Sequence, residues 1–185
     1  MSGGHGHVDH HSNKGIALLI SILALVLALS ETLGKGAQTN ALSANVEASN
    51  LWAFFQAKTI RQTVMRTAAE EADAEYGDKA PDALKKQIKK WKDTADRYGS
   101  EPDTGEGRKE LAARAKKAEE KRDRSLAAYH HYEVGSAAVQ IAIVLASASI
   151  ITTMPVLVWI AGALGITGVV FCGIGFFAPN AIHLF

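Results

Sequence analysis

The sequence predicts an all-α fold: three transmembrane helices, with a long antiparallel helical hairpin, similar to a coiled coil, inserted between the first and the second. Three observations predict this fold. Of the 20 Lys and Arg residues, 19 lie within 35–124, and apolar segments flank that block on both sides. The region 134–185 contains no Lys, Arg, Asp or Glu. The region 37–76 contains no Gly or Pro and is rich in Ala, Glu, Gln and Arg, which favour helices.

These patterns divide the chain into six segments. They are a polar His-rich tail (1–14), transmembrane helix 1 (15–34), a helical stalk (35–133), transmembrane helix 2 (134–153), transmembrane helix 3 (154–178) and a C-terminal tail (179–185). The stalk carries 19 Lys and Arg against 17 Asp and Glu, whereas nucleic-acid binding requires a patch of one sign. We therefore expect no nucleic-acid partner. The single cysteine, Cys172, excludes a disulfide framework.

The first span is apolar over 16–29 except for Ser21. Its length of about 20 residues matches a hydrocarbon core roughly 30 Å thick. A cleaved signal peptide is the alternative, because Ala28 and Ser30 are small residues of the kind a signal peptidase requires. We expect an uncleaved span.

The apolar runs of the second and third spans, 134–153 and 155–177, are separated only by Met154. A connection this short predicts an antiparallel helical hairpin, with Pro155 in the first turn of the third span. Six basic residues precede the second span closely, and none follows it: Arg114, Lys116, Lys117, Lys121, Arg122 and Arg124. The positive-inside rule then predicts an outside N-terminus, with the stalk and the C-terminus in the cytoplasm.

Small residues recur on one face of each span. In the third span they are spaced 4, 3, 4 and 3 residues apart: Ala161, Gly165, Gly168, Cys172 and Gly175. In the second they are Gly135, Ala138, Ala142, Ala146 and Ser149, and in the first Ala17, Ser21, Ala24 and Ala28, a face that Glu31 continues. In lipid, helices associate through such faces, so we expect close packing within one chain or between chains.

Two polar side chains stand out within the spans, Glu31 and Gln140. Intramembrane polar groups are candidates for function. The alternative is that Glu31 lies within a turn of the interface and reaches water or pairs with Lys35. The neighbouring stretch 129–132, with sequence Tyr-His-His-Tyr, is typical of an interfacial aromatic anchor.

The stalk is predicted to contain an outgoing helix over 37–76 and a return arm in two pieces. The outgoing helix would extend roughly 60 Å, similar to the return pieces combined. We expect Asp82 to cap the first return piece. Its helical seam is Leu84, Ile88, Trp91, Ala95 and Tyr98. The second return piece has its own helical face, formed by Leu111, Ala115, Ala118, Ser125, Tyr129 and Tyr132. These two seams contain few large aliphatic residues, which favours association with other copies or a partner.

A motif in the outgoing helix is rich in aromatic residues. It comprises Asn50, Leu51, Trp52, Ala53, Phe54, Phe55, Gln56, Ala57 and Lys58, followed by Arg61 and Gln62. This stretch resembles a motif in a bacterial family of small membrane proteins that is defined only as a domain of unknown function. The three-span layout and the closing Ala- and Ile-rich hairpin are similar too, so the resemblance covers most of the chain. It implies a bacterial inner-membrane protein, multi-pass, and carries no activity or catalytic residue.

The residues themselves indicate what this motif does. Trp52, Phe54 and Phe55 point to more than one side of the helix, so one or two of them would face the return arm. We expect the remainder to be exposed unless a partner covers it, and we treat all three as partner contacts.

The only clustered metal ligands are His5, His7, His10 and His11, with Asp9 between them. Imidazole and carboxylate suit Zn, Cu or Ni, but a flexible tail lacks the surroundings that make a site selective. A solvated polar tail is the alternative. No catalytic triad, zinc-helix or phosphate-loop pattern is present in the sequence, so we expect no cofactor, no small-molecule substrate and no enzyme.

The sequence therefore predicts a non-enzymatic membrane protein, surrounded by membrane lipid, that acts as an oligomeric scaffold or assembly protein through its stalk. One alternative is an accessory subunit of a larger membrane complex. Another is an oligomeric channel or transport component with Glu31 and Gln140 in its pore.

Overall fold

The computed structural model describes the backbone of residues 10–182 and the side chains of residues 14–182. Over this range the chain forms four α-helices and no β-strand. The helices are α1 (His10–Tyr76), α2 (Asp82–Gly99), α3 (Arg108–Thr152) and α4 (Pro155–Phe177), with one 3-10 turn at Gly77–Lys79. The fold is all-helical, as the sequence predicts.

Three helices, α1, α3 and α4, each contain a stretch long enough and apolar enough to cross a membrane. Many of their large apolar side chains face outward, including Leu25, Ile151, Trp159 and Phe177. Water would not favour so much exposed apolar surface, which is consistent with a membrane protein.

Two details at helix ends differ from the sequence predictions. The predicted first span and the outgoing helix form a single helix, because α1 continues through Gly34 and Gly36. The predicted cap at Asp82 is wrong: Asp82 is the first helical residue, and Pro81 is the N-cap, without a side-chain hydrogen bond. The fixed φ of proline sets the extended entry to α2, and the Pro81 carbonyl accepts the Lys85 amide at 3.0 Å.

The chain divides into two compact units. The apolar unit contains the described residues up to Ala41 together with those from Asp123 onward, and the central unit is Leu42–Arg122. The core of the apolar unit is formed by Leu23, Val139, Ala142, Ala146 and Ala161. The core of the central unit is formed by Ala48, Leu51, Leu111, Ala115 and Ala118.

In the apolar unit, α3 and α4 approach too closely for side chains at the contact points. A Cβ atom on Gly135 would lie 2.9 Å from the Cys172 Sγ and 3.0 Å from the Gly168 carbonyl oxygen. A Cβ atom on Gly168 would collide with Val139 and lie 2.9 Å from the Gly135 carbonyl oxygen. Glycine at both positions therefore lets the two backbones touch.

The connection between α3 and α4 is Thr153 and Met154, and Pro155 occupies the first turn of α4. Thr153 has a φ of 55°, which is rare for a β-branched residue. Its amide donates to the Ser149 carbonyl at 2.9 Å, so this left-handed residue ends α3.

In the central unit, α1 contacts both α2 and α3. Trp52 of α1 bonds to Glu119 of α3, and Gln62 of α1 bonds to Ala95 of α2 and to Arg108 of α3. The two α1–α3 contacts pair residues in opposite order, so these segments run antiparallel.

Candidate functional site

A polar groove lies between α1 and α3 in the apolar unit, with a volume of about 430 Å³. Ionisable and amide side chains line much of it: Glu31, Lys35, Gln38, Glu133 and Gln140. The other polar residues that line it are Tyr129, Tyr132, Ser30 and Ser136. The groove therefore offers hydrogen-bond donors and acceptors of both charges beside the apolar segments.

The structure brings together the two polar side chains that the sequence singles out. The Gln140 Nε2 donates to the Glu31 Oε1 at 3.4 Å, and both side chains are exposed. Lys35, the alternative partner for Glu31, lines the same groove. At 3.4 Å the bond is long, so the Glu31 carboxylate can accept further donors.

A buried polar cluster joins α1, α3 and α4, and two of its members, Ser30 and Ser136, also line the groove. The Ser30 hydroxyl donates to the Tyr132 carbonyl at 3.1 Å, and the Ser136 hydroxyl donates to the Ser30 Oγ at 2.9 Å. The Cys172 thiol lies 3.1 Å from the same Ser30 Oγ. Each of these small polar groups is thus satisfied inside the helix bundle, as an apolar environment requires. Sequence reasoning singled out Glu31 and missed its neighbour Ser30, which lies on the buried face of α1.

His131 is buried in the apolar unit, and so is Tyr132. The prediction of an interfacial aromatic anchor is therefore wrong for these two residues. A Cβ atom on Gly175 would lie 3.0 Å from the His131 Cβ, so the glycine makes room for the histidine against α4. The His131 Nε2 lies 3.1 Å from the Pro179 carbonyl oxygen, which ties the segment after α4 to α3.

The predicted packing residues of the third span lie at the interior of the apolar unit. Ala161, Gly165, Gly168 and Gly175 are buried, and Cys172 is half-buried. A Cβ atom on Gly165 would lie 2.6 Å from the Leu23 Cδ2, so this glycine receives a leucine of α1.

The small-residue face of the first span behaves differently, since Ala17, Ser21, Ala24, Ala28 and Glu31 are all exposed. α1 turns a different face inward, formed by Ile16, Leu19, Ile20, Leu23 and Leu27. No other side chain that the structure describes covers this small face.

The aromatic motif forms contacts inside the central unit. The Trp52 indole N–H donates to the Glu119 Oε1 at 2.9 Å. The Trp52 and Phe55 rings pack edge to face, with their centres 5.4 Å apart. The Arg108 guanidinium lies 5.0 Å from the centre of the Phe55 ring. Trp52, Phe54 and Phe55 are all half-buried, so the expectation that some would be exposed is wrong. Cations and the return arm cover them.

Lys58 lies at the centre of these contacts and is only 6% exposed. Its ammonium is 3.7 Å from Glu101 and 3.8 Å from Glu106. It also lies 5.4 Å from the centre of the Phe54 ring and 5.0 Å from that of Tyr98. The motif therefore holds α1 against the return arm.

The opposite side of α1 in the central unit is exposed and uncharged. Its large side chains are Leu42, Val46, Ile60 and Val64, which are 64%, 51%, 65% and 57% exposed. Ser49, Ala53 and Gln56 fill the row between Val46 and Ile60. From Leu42 to Ile60 the spacing is 4, 3, 4, 3 and 4, which is the repeat of a coiled-coil seam. We call this row the outer seam. Sequence reasoning missed it because Ser49, Ala53 and Gln56 interrupt its large apolar residues.

The predicted metal ligands lie where the structure describes no side chains. His5 and His7 lie outside the described residues, and the described range includes only the backbone of His10 and His11. Among the side chains that the structure does describe, no group of three or more His, Cys, Asp or Glu residues could hold a metal ion.

Comparison with known proteins finds one match. The family model described as a domain of unknown function (DUF4337) matches residues 12–178. No curated protein and no solved structure matches. The match covers α2, α3 and α4 completely and all but the first two residues of α1, in agreement with the resemblance that the aromatic motif and the span layout indicate.

Proposed function

The chain belongs to the DUF4337 family, whose function is unknown, and we propose that it is a non-enzymatic, oligomeric scaffold of a bacterial inner membrane whose copies associate through the central unit. The observation that carries this proposal is the outer seam of α1. It is a coiled-coil repeat that no other part of the described chain covers.

The outer seam has the composition of an interface. Charges are depleted at the cores of interfaces, and none of the residues from Leu42 to Ile60 in this row is charged. Its large aliphatic side chains are Leu42, Val46 and Ile60, and Val64 follows one turn later. All of them lie outside the apolar stretches, where water would otherwise contact them. Covering them with a second helix would remove that apolar area from water.

A second copy of the same chain fits this seam. Copies inserted into one membrane have one orientation, so a parallel pairing would place each residue opposite its own counterpart. A charged row would then repel itself, whereas this row is neutral. Gln56 would meet the same residue of the second copy, and paired amides are compatible with a coiled-coil seam.

The strength of this association is expected to be modest. From Leu42 to Ile60 the seam is about 27 Å long, at 1.5 Å per residue, which is short for an independent coiled coil. Confinement to a membrane raises the effective concentration of the copies and compensates for a short seam.

Charge insertion into the outer seam tests this proposal. We expect Val46→Glu with Ile60→Glu to convert detergent-purified oligomers to monomers, since like charges would then face each other. The matched control is Ala113→Glu, which adds a charge at an exposed position of α3. Multi-angle light scattering gives the mass, and circular dichroism checks that the helical content is unchanged. A wild type that is monomeric at micromolar concentration, or a double variant that stays associated, would contradict the proposal.

An accessory subunit of a larger membrane complex is the second candidate. The same seam would then receive a helix of a different protein. Purification in a gentle detergent followed by mass spectrometry separates the two cases. A second protein that co-purifies with the wild type in stoichiometric amount, and is absent from the purified double variant, would indicate an accessory subunit instead of a homo-oligomer.

A channel or transport component is the third candidate, favoured by the outward-facing Glu31–Gln140 pair. Ion flux into liposomes that contain the protein would support it only if Glu31→Ala and Gln140→Ala reduce that flux.

A further inference from the structure

The polar groove of the apolar unit has an unusual charge composition for its place. Two carboxylates, Glu31 and Glu133, and one ammonium, Lys35, line a volume of about 430 Å³ beside apolar segments. Glu31 is exposed on the outer surface of its helix at the end of the apolar stretch 16–29. An ionised carboxylate is costly at the edge of a hydrocarbon region unless a cation accompanies it.

The exposed small face of α1 adds a second observation. Ala17, Ser21, Ala24 and Ala28 are exposed and lie in the same helical row as Glu31. At 1.5 Å per residue, the smooth surface from Ala17 to Ala28 is about 16 Å long, comparable with an extended acyl chain. On α3, the residues after Gln140 include two exposed apolar side chains, Ile141 and Val144. An apolar track therefore ends at a polar pocket, which is the layout that an amphiphile requires.

We propose that this groove binds an aminophospholipid, with the primary ammonium of its headgroup at Glu31 and Glu133, its phosphate at Lys35 and an acyl chain along the small face of α1. A primary ammonium provides three N–H donors. The two carboxylates and the side-chain amide oxygen of Gln140 can accept hydrogen bonds from them. The long Glu31–Gln140 bond leaves acceptor capacity for such a donor.

Other headgroups fit the groove less well. An anionic headgroup without an amine would place its charge beside two carboxylates and a single lysine. A quaternary ammonium has no N–H to donate, so it would add no hydrogen bond to those that the carboxylates accept from Gln140 and Tyr129. The groove thus selects a headgroup that carries both a phosphate and a primary amine.

Lipid retention by the full-length protein tests the inference. Delipidated protein is supplied in turn with phosphatidylethanolamine, phosphatidylcholine and phosphatidylglycerol of identical acyl chains, and native mass spectrometry counts the bound lipids. We expect phosphatidylethanolamine to be retained about fivefold better than the others, which corresponds to about 1 kcal/mol. Glu31→Gln with Glu133→Gln should abolish this preference, while Glu47→Gln, an exposed carboxylate of α1 in the central unit, should keep it.

Two further experiments distinguish a bound lipid from a soluble headgroup, and a lipid from a protein helix on the small face of α1. Soluble phosphoethanolamine should displace the lipid poorly, because it lacks the acyl chain. Ala24→Leu with Ala28→Leu should weaken lipid retention, because the larger side chains would disturb the smooth surface along which the acyl chain lies. Equal retention of the three lipids, an unchanged preference in the double Gln variant, or displacement by soluble phosphoethanolamine at equal concentration would overturn the proposal. So would disulfide formation between copies of an Ala24→Cys variant in membranes that contain phosphatidylethanolamine, since a protein helix would then occupy the face.

This inference is independent of self-association. The groove belongs to the apolar unit and the outer seam to the central unit. A monomeric protein that retains the lipid would therefore contradict the proposed function and support the lipid site, and an oligomer without lipid preference would do the opposite.

Discussion

Buried polar residues decide the local structure of both units. Ser30 accepts two hydrogen bonds and donates a third inside the apolar unit, and Lys58 lies between two carboxylates and two aromatic rings in the central unit. Neither role is visible in the sequence, since a Ser in an apolar span and a Lys in a charged helix are common. The aromatic motif contains the signal in part. Phe54, Lys58 and Gln62 are spaced at i, i+4 and i+8, which places all three on one face of the helix.

Replacing Lys58 tests the role of its ammonium. We expect Lys58→Met to lower the free energy of unfolding by about 1–3 kcal/mol, because the side-chain volume is kept while two carboxylates lose their cation. Glu101 and Glu106 retain access to water, which limits the loss. Thermal and urea unfolding in detergent, followed by circular dichroism, measure it. Arg61→Met, at an exposed position one turn away, is the control, and an equal effect of both substitutions would refute the role of Lys58.

Glu110 provides a prediction about pH. A hydrogen bond from the Ser100 hydroxyl at 2.6 Å, followed by one from the Glu101 amide at 3.1 Å, lowers the pKa of the Glu110 carboxyl below its ordinary value of 4.5. A lowered folded-state pKa contributes stability that is complete above the unfolded-state pKa and is lost as the pH falls through the folded-state pKa. The difference in unfolding free energy between wild type and Glu110→Gln should therefore stay constant near neutral pH and narrow below about pH 4.5. A difference that is independent of pH would show that the carboxylate charge is not involved.

At the scale of elements, hydrophobic patterns predict the helices but not which faces meet. The all-α content, the α3–α4 hairpin and Pro155 in the first turn of α4 follow from apolar length and from proline geometry. The inward face of α1 does not follow. Small residues show where a close approach is possible, yet Gly165 of α4 receives Leu23, so the large face of α1 fills the space that glycine leaves. The small face of α1 then has no place inside the unit.

The glycine contacts of α4 can be tested by a matched pair of substitutions. Gly168→Ala would place a methyl group against Val139 and the Gly135 carbonyl, so we expect α3 and α4 to separate and the melting temperature in detergent to fall. Gly173→Ala, in the same helix with open space around it, should be neutral or stabilising by about 0.5–1 kcal/mol. If both variants melt at the same temperature, the backbone contact does not determine the packing of this pair of helices.

At the scale of the whole molecule, the charge distribution of the sequence agrees with the division into two units. The central unit, Leu42–Arg122, lies within the charged block, and the apolar stretches all belong to the other unit. The boundaries of the units are less visible in the sequence, because α1 and α3 each pass from one unit to the other without a break. Neither Gly nor Pro lies at the points where α1 and α3 change their packing partners, so the sequence at these points is compatible with a continuous helix.

Membrane topology is the last prediction, and it concerns the entire chain. We expect the central unit and the C-terminus in the cytoplasm and the N-terminus outside, because six basic residues of 114–124 precede the apolar part of α3 and none follows it. Moving each of these charges against the membrane potential would cost about 2.3 kcal/mol per 100 mV, so the cluster biases insertion strongly. An Asp103→Cys variant places a thiol at an exposed position between α2 and α3, where the wild type has only the half-buried Cys172 elsewhere in the chain. An impermeant maleimide should label this variant in permeabilised cells and leave it unlabelled in intact cells, with the wild type as the background. Labelling in intact cells would place the central unit outside and invert the topology.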